Sequence, residues 1–535
     1  MKIVVAEKIS ASAMALLRSE AGWTVVTPEE YASDMAAALS GADGLVVRSA
    51  VEVTSELLQS APKLRVIGRA GVGVDNVDVE AATRRGIVVM NTPGANAVAV
   101  AELAIGLMLS LARHIPRADQ TTRAGKWEKK SLQGTELRGK TLGIVGLGRI
   151  GAEVSRRAKS FGMQIIASDP YVAPALAQEL GITLCSLEEL YAQADYISLH
   201  LGLTQQTAGM IDETALAKMK RGVKIVNCAR GELVDEAALA AALGSGQVGA
   251  AALDVFLKEP PAGSPLLASP NVVATPHIGA STSEAQDAVG VQIASQVREY
   301  LVRGVVQNAV NVPSLSDLEY EQVGPYLTLA RKLGSLLAQM FDSHLEEIRI
   351  GYEGAIAMSK TGLIRNSIIA GVLQPSSHEV INVVNAAGAA QERGIRVVER
   401  KDESAAKQSL VEVSLQGVSL TLTASGTVVH GDSPRVTHLN GIDVESPLEG
   451  NLIVISNHDL PGVIGGIGTV LGSNAINIAR LSLGRSNAMA EAAPRASATR
   501  GQALSIVQTD SAVSAEVVEK LRTVPGILSV HRTSL

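Results

Sequence analysis

Short apolar runs alternate with helical patterns over the first 300 residues of the chain. The first series of runs comprises residues 2–6, 44–47, 65–68 and 86–89. The second series comprises residues 141–145, 164–167, 195–199, 224–227, 249–253 and 271–274. Strands that alternate with helices predict parallel sheets covered by helices on both faces. We therefore expect an α/β fold with two doubly wound, Rossmann-like domains.

The boundary between the two series is marked by an apolar run. This run starts at Ala97 and predicts a buried helix of about fifteen residues. We expect the first domain to comprise residues 1–96 plus 284–310, because the chain then crosses between the domains twice. The second domain comprises residues 97–283.

The pattern changes beyond residue 310. Strands become more polar and alternate, as in residues 347–350, which is typical of a half-exposed antiparallel sheet. We expect an α+β intervening domain over residues 311–447. The last block, residues 448–535, has the order strand, helix, strand, strand, helix, strand, which predicts a ferredoxin-like domain. Residues 486–500 are rich in Ala and lack apolar periodicity, so we expect a mobile loop there.

Composition supports a multidomain protein with an aliphatic interior. Of 535 residues, 46% are apolar and 2% aromatic, and a chain of this length exceeds a single core. The 47 basic residues nearly balance the 53 acidic ones, for a net charge of -6. A chain without a basic field is not expected to bind nucleic acid.

Targeting and redox signals favour the cytoplasm. The apolar run at the start is too short for a signal peptide, and the stretch from Val98 to Ala112 is too short for a bilayer, so we expect no membrane partner. The two cysteines, Cys185 and Cys228, cannot build a disulfide framework and lack metal-ligand spacing. We expect reduced thiols and no metal site.

A glycine-rich motif predicts a dinucleotide site. Gly146, Gly148 and Gly151 follow a strand and open a helix. The first permits a tight turn, the second lets the backbone approach a pyrophosphate, and the third allows close helix packing. Asp169, at the end of the next strand, is placed to bond the adenosine ribose hydroxyls and would repel a 2′-phosphate. NAD is therefore expected rather than NADP.

Three polar residues follow later strands of the same domain, namely Arg230, Glu259 and His277. The carboxyl ends of parallel strands face the cofactor crevice, so these side chains are expected to meet there. Oxidation of a 2-hydroxy acid suits these residue types. His277 would take the hydroxyl proton, Glu259 would hold the imidazolium, and Arg230 would clamp the carboxylate.

Several segments resemble the D-isomer-specific 2-hydroxyacid dehydrogenases, namely residues 227–231, 252–256, 259–260 and 275–282. The segments 47–50, 68–78 and 125–128 are similar to the branch of that family that oxidises D-3-phosphoglycerate with NAD in L-serine synthesis. The resemblance extends over essentially the whole chain. It makes residues 97–283 an NAD-binding domain and residues 1–96 plus 284–310 a substrate-binding lid.

The resemblance also implies site residues. It implies Arg230, Glu259 and His277 as the catalytic residues. It also implies that the residues around NAD are Gly146, Gly148, Arg149, Ile150, Gly151, Asp169, Leu201, Cys228, Ala229, Arg230, Asp254, His277, Gly279 and Ala280. For the phosphate of the substrate it implies Arg48, Arg69 and Lys129, beside Ser49 and Gly71. Lys129 would come from a neighbouring subunit of a homotetramer. One departure is Gly202, where the family usually has Pro, which loosens that loop.

The last domain resembles the amino-acid-binding ACT domain, on residues 458–465 and 476–479. L-Serine is the implied effector, facing Asn457, Asp459 and Asn477. A module that dimerises without a ligand is the alternative, because residues 486–500 depart from the short hairpin of the family. The block 311–446 resembles the intervening domain of the longest members, and its sequence names no ligand.

Two other functions compete with oxidation of phosphoglycerate. The same chemistry could act on glyoxylate or 2-oxoglutarate, although glyoxylate would not need the cationic pair Arg48 and Arg69. A protein that senses NAD and binds a protein partner is the other alternative. The serine-type regulatory module favours the enzyme.

Overall fold

The computed structural model describes residues 1–31, 34–404, 408–486 and 501–535. The loop predicted at 486–500 lies outside the described residues from position 487 onward. No single helix in these ranges is long and apolar enough to cross a membrane. The helices Ala97–Arg113 and Ile115–Arg123 pass that test only as a pair, and they are bent by 63° at their junction.

The first domain is built on a parallel sheet. Its described elements are β1 (Lys2–Val5), α1 (Ala11–Arg18), β2 (Thr24–Val26), α2 (Pro28–Tyr31), α3 (Met35–Leu39), β3 (Gly44–Val47), α4 (Ser55–Gln59), β4 (Val66–Arg69), α5 (Val79–Arg84) and β5 (Val88–Met90). The described strands have the order β2-β1-β3-β4-β5. Helices cover both faces, and this is why the strands read as continuous apolar runs.

The second domain carries a larger parallel sheet. Its described elements are α6 (Ala97–Arg113), α7 (Ile115–Arg123), β6 (Thr141–Val145), α8 (Arg149–Ser160), β7 (Gln164–Ser168), α9 (Pro174–Glu179), β8 (Thr183–Leu184), α10 (Leu187–Gln193), β9 (Tyr196–Leu199), α11 (Glu213–Lys218), β10 (Val223–Asn227), α12 (Glu236–Ser245), β11 (Val248–Leu253) and β12 (Val272–Ala274). The order is β12-β11-β10-β9-β6-β7-β8. The strand order reverses between β6 and β9, and a ligand crevice forms at such a switch point. Both predicted doubly wound domains are confirmed.

A long helix, α13 (Ser283–Arg303), returns from the second sheet to the first. It begins at Ser283 because the Thr282 hydroxyl accepts from the backbone N–H of Ala285, and it ends at Gly304, whose φ is +75°. The helix packs on α1 and β4. Its buried residues belong to a core that continues from the first sheet into the following domain.

The intervening domain pairs a mixed sheet with helices. Its described elements are α14 (Asp317–Met340), β13 (Leu345–Glu353), α15 (Gly362–Leu373), α16 (Ala386–Glu392), β14 (Arg396–Asp402), β15 (Leu410–Gly417), β16 (Thr421–Val429), β17 (Ser433–Leu439) and β18 (Ile442–Pro447). The order is β14-β13-β15-β16-β17-β18. The predicted antiparallel sheet needs one correction, because β14 pairs parallel with β13. The crossover through α15 and α16 imposes that direction.

The last domain has the predicted ferredoxin-like order. Its described elements are β19 (Asn451–His458), α17 (Val463–Ser473), β20 (Ile478–Arg485), β21 (Gln502–Thr509), α18 (Ala515–Arg522) and β22 (Ile527–Ser534). The described strands form an antiparallel sheet in the order β20-β21-β19-β22. One face of the sheet packs on α17 and α18. The other face, with Leu452, Val454 and Ile506, joins the core of the intervening domain.

Candidate active site

A crevice of about 1230 Å³ lies between the first and second domains. Loops at the carboxyl ends of strands from both sheets line it. The residues predicted for the site that line it are Arg48, Ser49, Arg69, Gly71, Arg149, Ile150, Leu201, Cys228, Ala229, Arg230, Asp254, Glu259, His277, Gly279 and Ala280. The topology therefore gathers residues that are up to about 230 positions apart in sequence at one place.

An imidazole and a carboxylate pair at the wall of this crevice. Nδ1 of His277 lies 2.7 Å from Oε2 of Glu259. The other carboxylate oxygen of Glu259 accepts from the backbone N–H of Phe256, at 3.1 Å. This pairing leaves Nε2 of His277 as the ring nitrogen available to a ligand. About half of the His277 side chain, 50%, is exposed, so a small substrate has access to it.

The backbone at His277 is held in an unusual conformation by a buried carboxylate. His277 has a φ of +52°, which a non-glycine residue rarely adopts. Asp254, only 1% exposed, accepts from the hydroxyl of Thr275 and from the backbone N–H groups of Ile278 and Gly279, at 2.6 to 2.8 Å. The Asp254 carbonyl also accepts from the His277 N–H. Asp254 thus fixes the turn that presents the imidazole.

Arg230 reaches across the crevice from the second domain to the first. Its Nε and Nη2 atoms lie 2.9 Å from Oδ2 of Asp75. Gly73 makes room for this guanidinium, since a Cβ there would lie 1.6 Å from Nη2 of Arg230. The absence of a side chain at Gly73 therefore leaves room for the Arg230 guanidinium at one end of the crevice, which we call the cationic end.

The cationic end of the crevice also contains Arg69 and Arg48. Burial, followed by the nearby Arg230 cation, lowers the pKa of Arg69. The Nε atom of Arg69 is buried and has no hydrogen-bond partner among the described residues. Guanidinium groups that repel each other favour an anion between them.

Two side chains hold the backbone of the loop that carries Arg48. Glu7, just after β1, accepts from the backbone N–H groups of Arg48, Ala50 and Val51. The Asn76 amide donates to the carbonyls of Arg48 and Val51, at 3.0 and 2.7 Å. Both side chains therefore position Arg48 through its backbone.

The glycine-rich turn lies between β6 and α8. Gly148 precedes α8 with no side-chain cap, and a Cβ at this glycine would enter open space. At Gly151 a Cβ would lie 2.2 Å from the carbonyl oxygen of Gly146, so the turn requires glycine there. Asp169 accepts from the Leu147 N–H, at 2.8 Å, which fixes the turn. An exposed helix N-terminus beside an open cradle fits a pyrophosphate.

Two side chains with shifted pKa values, His200 and Cys228, line the crevice near that turn. Burial lowers the pKa of His200 to about 3, so the ring is neutral at physiological pH. Its Nε2 lies 2.8 Å from the Ser198 hydroxyl, and its Nδ1 has no partner among the described residues. Burial, with the Asp254 charge, raises the pKa of the Cys228 thiol. Cys228 is therefore not a reactive thiolate.

Some predicted site residues lie elsewhere. Lys129 is exposed and does not line the crevice of its own chain. In the last domain, Asn457 is buried and its amide donates to the carbonyl of His458. Asp459 pairs with Arg485, at 3.3 Å, and the Asn477 amide donates to Asp510. The three residues predicted to bind serine thus have partners within their own domain.

The amino-acid sequence matches models of two protein families. The D-isomer specific 2-hydroxyacid dehydrogenase NAD binding domain matches residues 105–279. The D-3-phosphoglycerate dehydrogenase intervening domain matches residues 322–440. A curated D-3-phosphoglycerate dehydrogenase from Methanocaldococcus jannaschii is 40% identical over 530 residues, which is 99% of both chains. The chain belongs to the D-3-phosphoglycerate dehydrogenase family.

Other relatives agree with this assignment. The D-3-phosphoglycerate dehydrogenase of Mycobacterium tuberculosis is 44% identical over 481 residues, 89% of this chain and 90% of that one. Among solved structures, an NAD-dependent formate dehydrogenase from Staphylococcus aureus in complex with NAD has a TM-score of 0.53 at 29% identity. That match covers 59% of this chain and all of the other. NAD is accordingly the cofactor of this family's second domain.

Sequence reasoning missed the residues that position the family's site residues. Asp75 accepts a hydrogen bond from Arg230, and Glu7 and Asn76 bond to the backbone of Arg48. Asp75 and Asn76 lie inside segment 68–78, so that motif was the available signal. No sequence signal pointed to Glu7, because it is a single polar residue after a strand and belongs to no motif.

Proposed function

We propose that this protein oxidises D-3-phosphoglycerate to 3-phosphohydroxypyruvate with NAD, the first step of L-serine biosynthesis. One observation carries the proposal. The Glu259–His277 pair and three guanidinium groups, those of Arg48, Arg69 and Arg230, line one crevice. An imidazole suits the hydroxyl of the substrate, and the cations suit its carboxylate and phosphate.

The roles of the side chains follow from their partners. Nε2 of His277 accepts the proton of the C2 hydroxyl, while Glu259 orients the ring through Nδ1. Arg230 holds the substrate carboxylate through its planar guanidinium. Arg48 and Arg69, with Ser49 and Gly71 beside them, hold the phosphate. Lys129 of a neighbouring subunit adds a further cation to that group.

The chain's own residues fit NAD. The open space at Gly148 and the uncapped start of α8 receive the pyrophosphate, and Asp169 receives the adenosine ribose. Arg149, Ile150, Leu201, Cys228, Ala229, Gly279 and Ala280 surround the rest of the cofactor. When bound, NAD accepts the hydride from C2 of the substrate.

We also propose how the chain is divided into domains. The lid comprises residues 1–96 plus 284–310, supported by the packing of α13 on α1 and β4. Residues 97–283 bind NAD, residues 311–447 intervene, and residues 448–535 form an ACT domain. We further propose that the protein is a homotetramer in the cytoplasm. The two free cysteines suit a reducing compartment.

The central test compares substrates. Reduction of NAD is followed with D-3-phosphoglycerate, D-glycerate and D-lactate, and oxidation of NADH with 2-oxoglutarate and glyoxylate. We expect the highest kcat/KM for D-3-phosphoglycerate. In His277→Ala, kcat should fall by about a hundredfold or more, with NAD affinity retained. Equal kcat/KM for D-glycerate would contradict a phosphate site at Arg48 and Arg69.

L-Serine is the proposed effector of the last domain. Asn457 supports this role, because its buried Oδ1 has no partner among the described residues. Asp459 and Asn477 lie at opposite ends of β20 in one chain, so they do not contact the same serine molecule within that chain. Because the sheet of this domain packs on the intervening domain, point variants are preferable to truncation. Serine should lower the initial rate of the full chain, and Asn457→Ala should abolish the effect. A flat serine response would reject the role.

A further inference from the structure

A second cavity lies far from the reacting groups, at the joint between the first and intervening domains. Its volume is about 260 Å³. Tyr300 of α13 lines one wall, and residues of α14 and α15 line the others. The volume is below the roughly 300–1,000 Å³ of pockets for drug-sized ligands. The cavity therefore suits a molecule of only a few carbon atoms.

A serine hydroxyl at the wall of this cavity has no hydrogen-bond partner among the described residues. Ser367 on α15 is 3% exposed, and its side chain lines the cavity. Among the described residues, its hydroxyl makes no hydrogen bond, although a serine in a helix often bonds to a carbonyl one turn earlier. The hydroxyl is open to the cavity, so a ligand with a polar atom at this point would form a hydrogen bond with it.

The cavity also has two neighbouring cations. Arg331 is exposed and, in the described part of the chain, has no ion-pair or hydrogen-bond partner for its guanidinium. Lys332 donates to the carbonyl of Leu448, at 2.5 Å, and keeps two further protons. No carboxylate side chain is among the described residues that line the cavity. The mouth of the cavity is therefore positive.

Apolar side chains form the remaining walls. Leu327 on α14, Leu363 on α15 and Val306 in the segment after α13 lie around the cavity. Beside it, α14 and α15 are in close contact, because a Cβ at Gly371 would lie 2.1 Å from the carbonyl oxygen of Arg331. This contact fixes the backbone that carries Arg331. The two cations and Ser367 are thus carried by two helices in close contact.

We infer that this cavity binds a small organic carboxylate that carries a second polar group. Arg331 and Lys332 hold the carboxylate, Ser367 bonds the hydroxyl or keto oxygen, and the apolar walls contact the short chain. The ligand bridges α13 of the first domain to α14 and α15. It therefore stabilises the joint between the catalytic and regulatory halves. The inference is independent of the crevice and of the reaction proposed for it.

The test uses two probes that differ by one hydroxyl, 3-hydroxybutyrate and butyrate, titrated calorimetrically into the full chain without NAD or substrate. We expect 3-hydroxybutyrate to bind about three- to tenfold more tightly, the gain of one hydrogen bond. Ser367→Ala should remove that difference and leave butyrate affinity unchanged. Arg331→Ala should weaken both probes by about tenfold or more, and Arg331→Lys should recover most of the loss.

Two matched controls separate this site from other cations. Arg400→Ala removes an exposed arginine of the same domain, and Arg230→Ala removes a cation of the crevice. Both should keep 3-hydroxybutyrate affinity within about twofold of the parent. The inference fails if the parent shows no saturable binding in the millimolar range. It also fails if Arg230→Ala abolishes binding, or if folded Arg331→Ala and Ser367→Ala bind as the parent does.

Discussion

The guanidinium of Arg230 bridges the crevice to Asp75, with Nε and Nη2 each 2.9 Å from one carboxylate oxygen. Arg230 belongs to the second domain, and Asp75 follows β4 of the first. The Asp75 side chain is 57% exposed, so water screens the pair and its stabilisation is small. The arginine proposed to clamp the substrate carboxylate thus has a competing carboxylate partner in the protein.

Asp75→Asn should lower the KM for D-3-phosphoglycerate. The substitution removes an anion that competes for Arg230 and repels the substrate. An exposed ion pair contributes about 0.2–1 kcal/mol, which corresponds to a KM lower by about 1.4- to fivefold. We expect kcat to stay the same, because Asp75 touches no reacting atom. Initial rates at low ionic strength measure the effect.

Glu52→Gln is the matched control for this competition. Glu52 lines the same crevice, and none of the described contacts joins it to Arg230. The substitution therefore removes the same charge without freeing the guanidinium. If Glu52→Gln lowers KM as much as Asp75→Asn does, the effect is the general field of the crevice rather than release of Arg230.

Asp254→Asn should damage catalysis through the position of His277. The carboxylate accepts three hydrogen bonds from the turn that carries the imidazole. An amide would point an N–H at one of those donors, at a cost of about 1–3 kcal/mol. We expect kcat to fall by about tenfold or more. A Tm lower by several degrees should accompany the loss.

Thr275→Val separates the two effects of that network. It removes one of the three hydrogen bonds and leaves both backbone donors with Asp254. We expect a Tm decrease of only about 2–4 °C and a kcat close to that of the parent. Should Asp254→Asn keep full kcat, Asp254 would not position His277.

Local patterns were sufficient to predict the inner strands of the two parallel sheets, because these strands are covered on both faces and appear as apolar runs in the sequence. The short edge strands β2 and β8 are more exposed and were not predicted. The direction of β14 was not predictable, because it depends on its partner β13 about fifty positions earlier. The period of a strand indicates which faces are buried but not the direction of its neighbour.

The candidate site likewise has residues that local patterns predict and residues whose role depends on distant parts of the chain. The motif residues His277 and Glu259 were predictable because each belongs to a short segment of distinctive chemistry. Glu7 was not, since its role is to bond the backbone of a loop some forty positions later. The carboxylate of Asp254 was assigned to NAD from resemblance, and its bonds to the 275–279 turn emerged only from the fold.

His200 should make the folded protein sensitive to acid. Burial lowers its pKa to about 3, below the value of about 6.5 expected in the unfolded chain. The unfolded chain therefore binds a proton first as the pH falls. Stability is unaffected above about pH 6.5 and decreases below it by about 1.4 kcal/mol per pH unit, until about pH 3. At pH 5 the loss is about 2 kcal/mol.

The measurement is the Tm of parent and His200→Gln from pH 7 to pH 5. The variant lacks the buried base, so its Tm should decrease less than that of the parent over this interval. His378→Gln is the control, because His378 is exposed, and it should follow the parent. Parallel curves for parent and His200→Gln would show that His200 does not carry the acid sensitivity.

Gly202→Pro should stabilise the loop that follows β9. A Cβ at Gly202 would enter open space, and its carbonyl accepts from the Thr207 hydroxyl, a bond that proline retains. Proline restricts the unfolded chain and stabilises the folded protein by about 0.4–1 kcal/mol when the backbone tolerates it.

Gly209→Pro should instead destabilise the folded protein, because Gly209 has a φ of +64° and donates its N–H to Glu232. Opposite changes in Tm are expected. A lower Tm for Gly202→Pro would mean that the loop needs the freedom of glycine, and NAD affinity measured on the same variant would then show whether binding uses it.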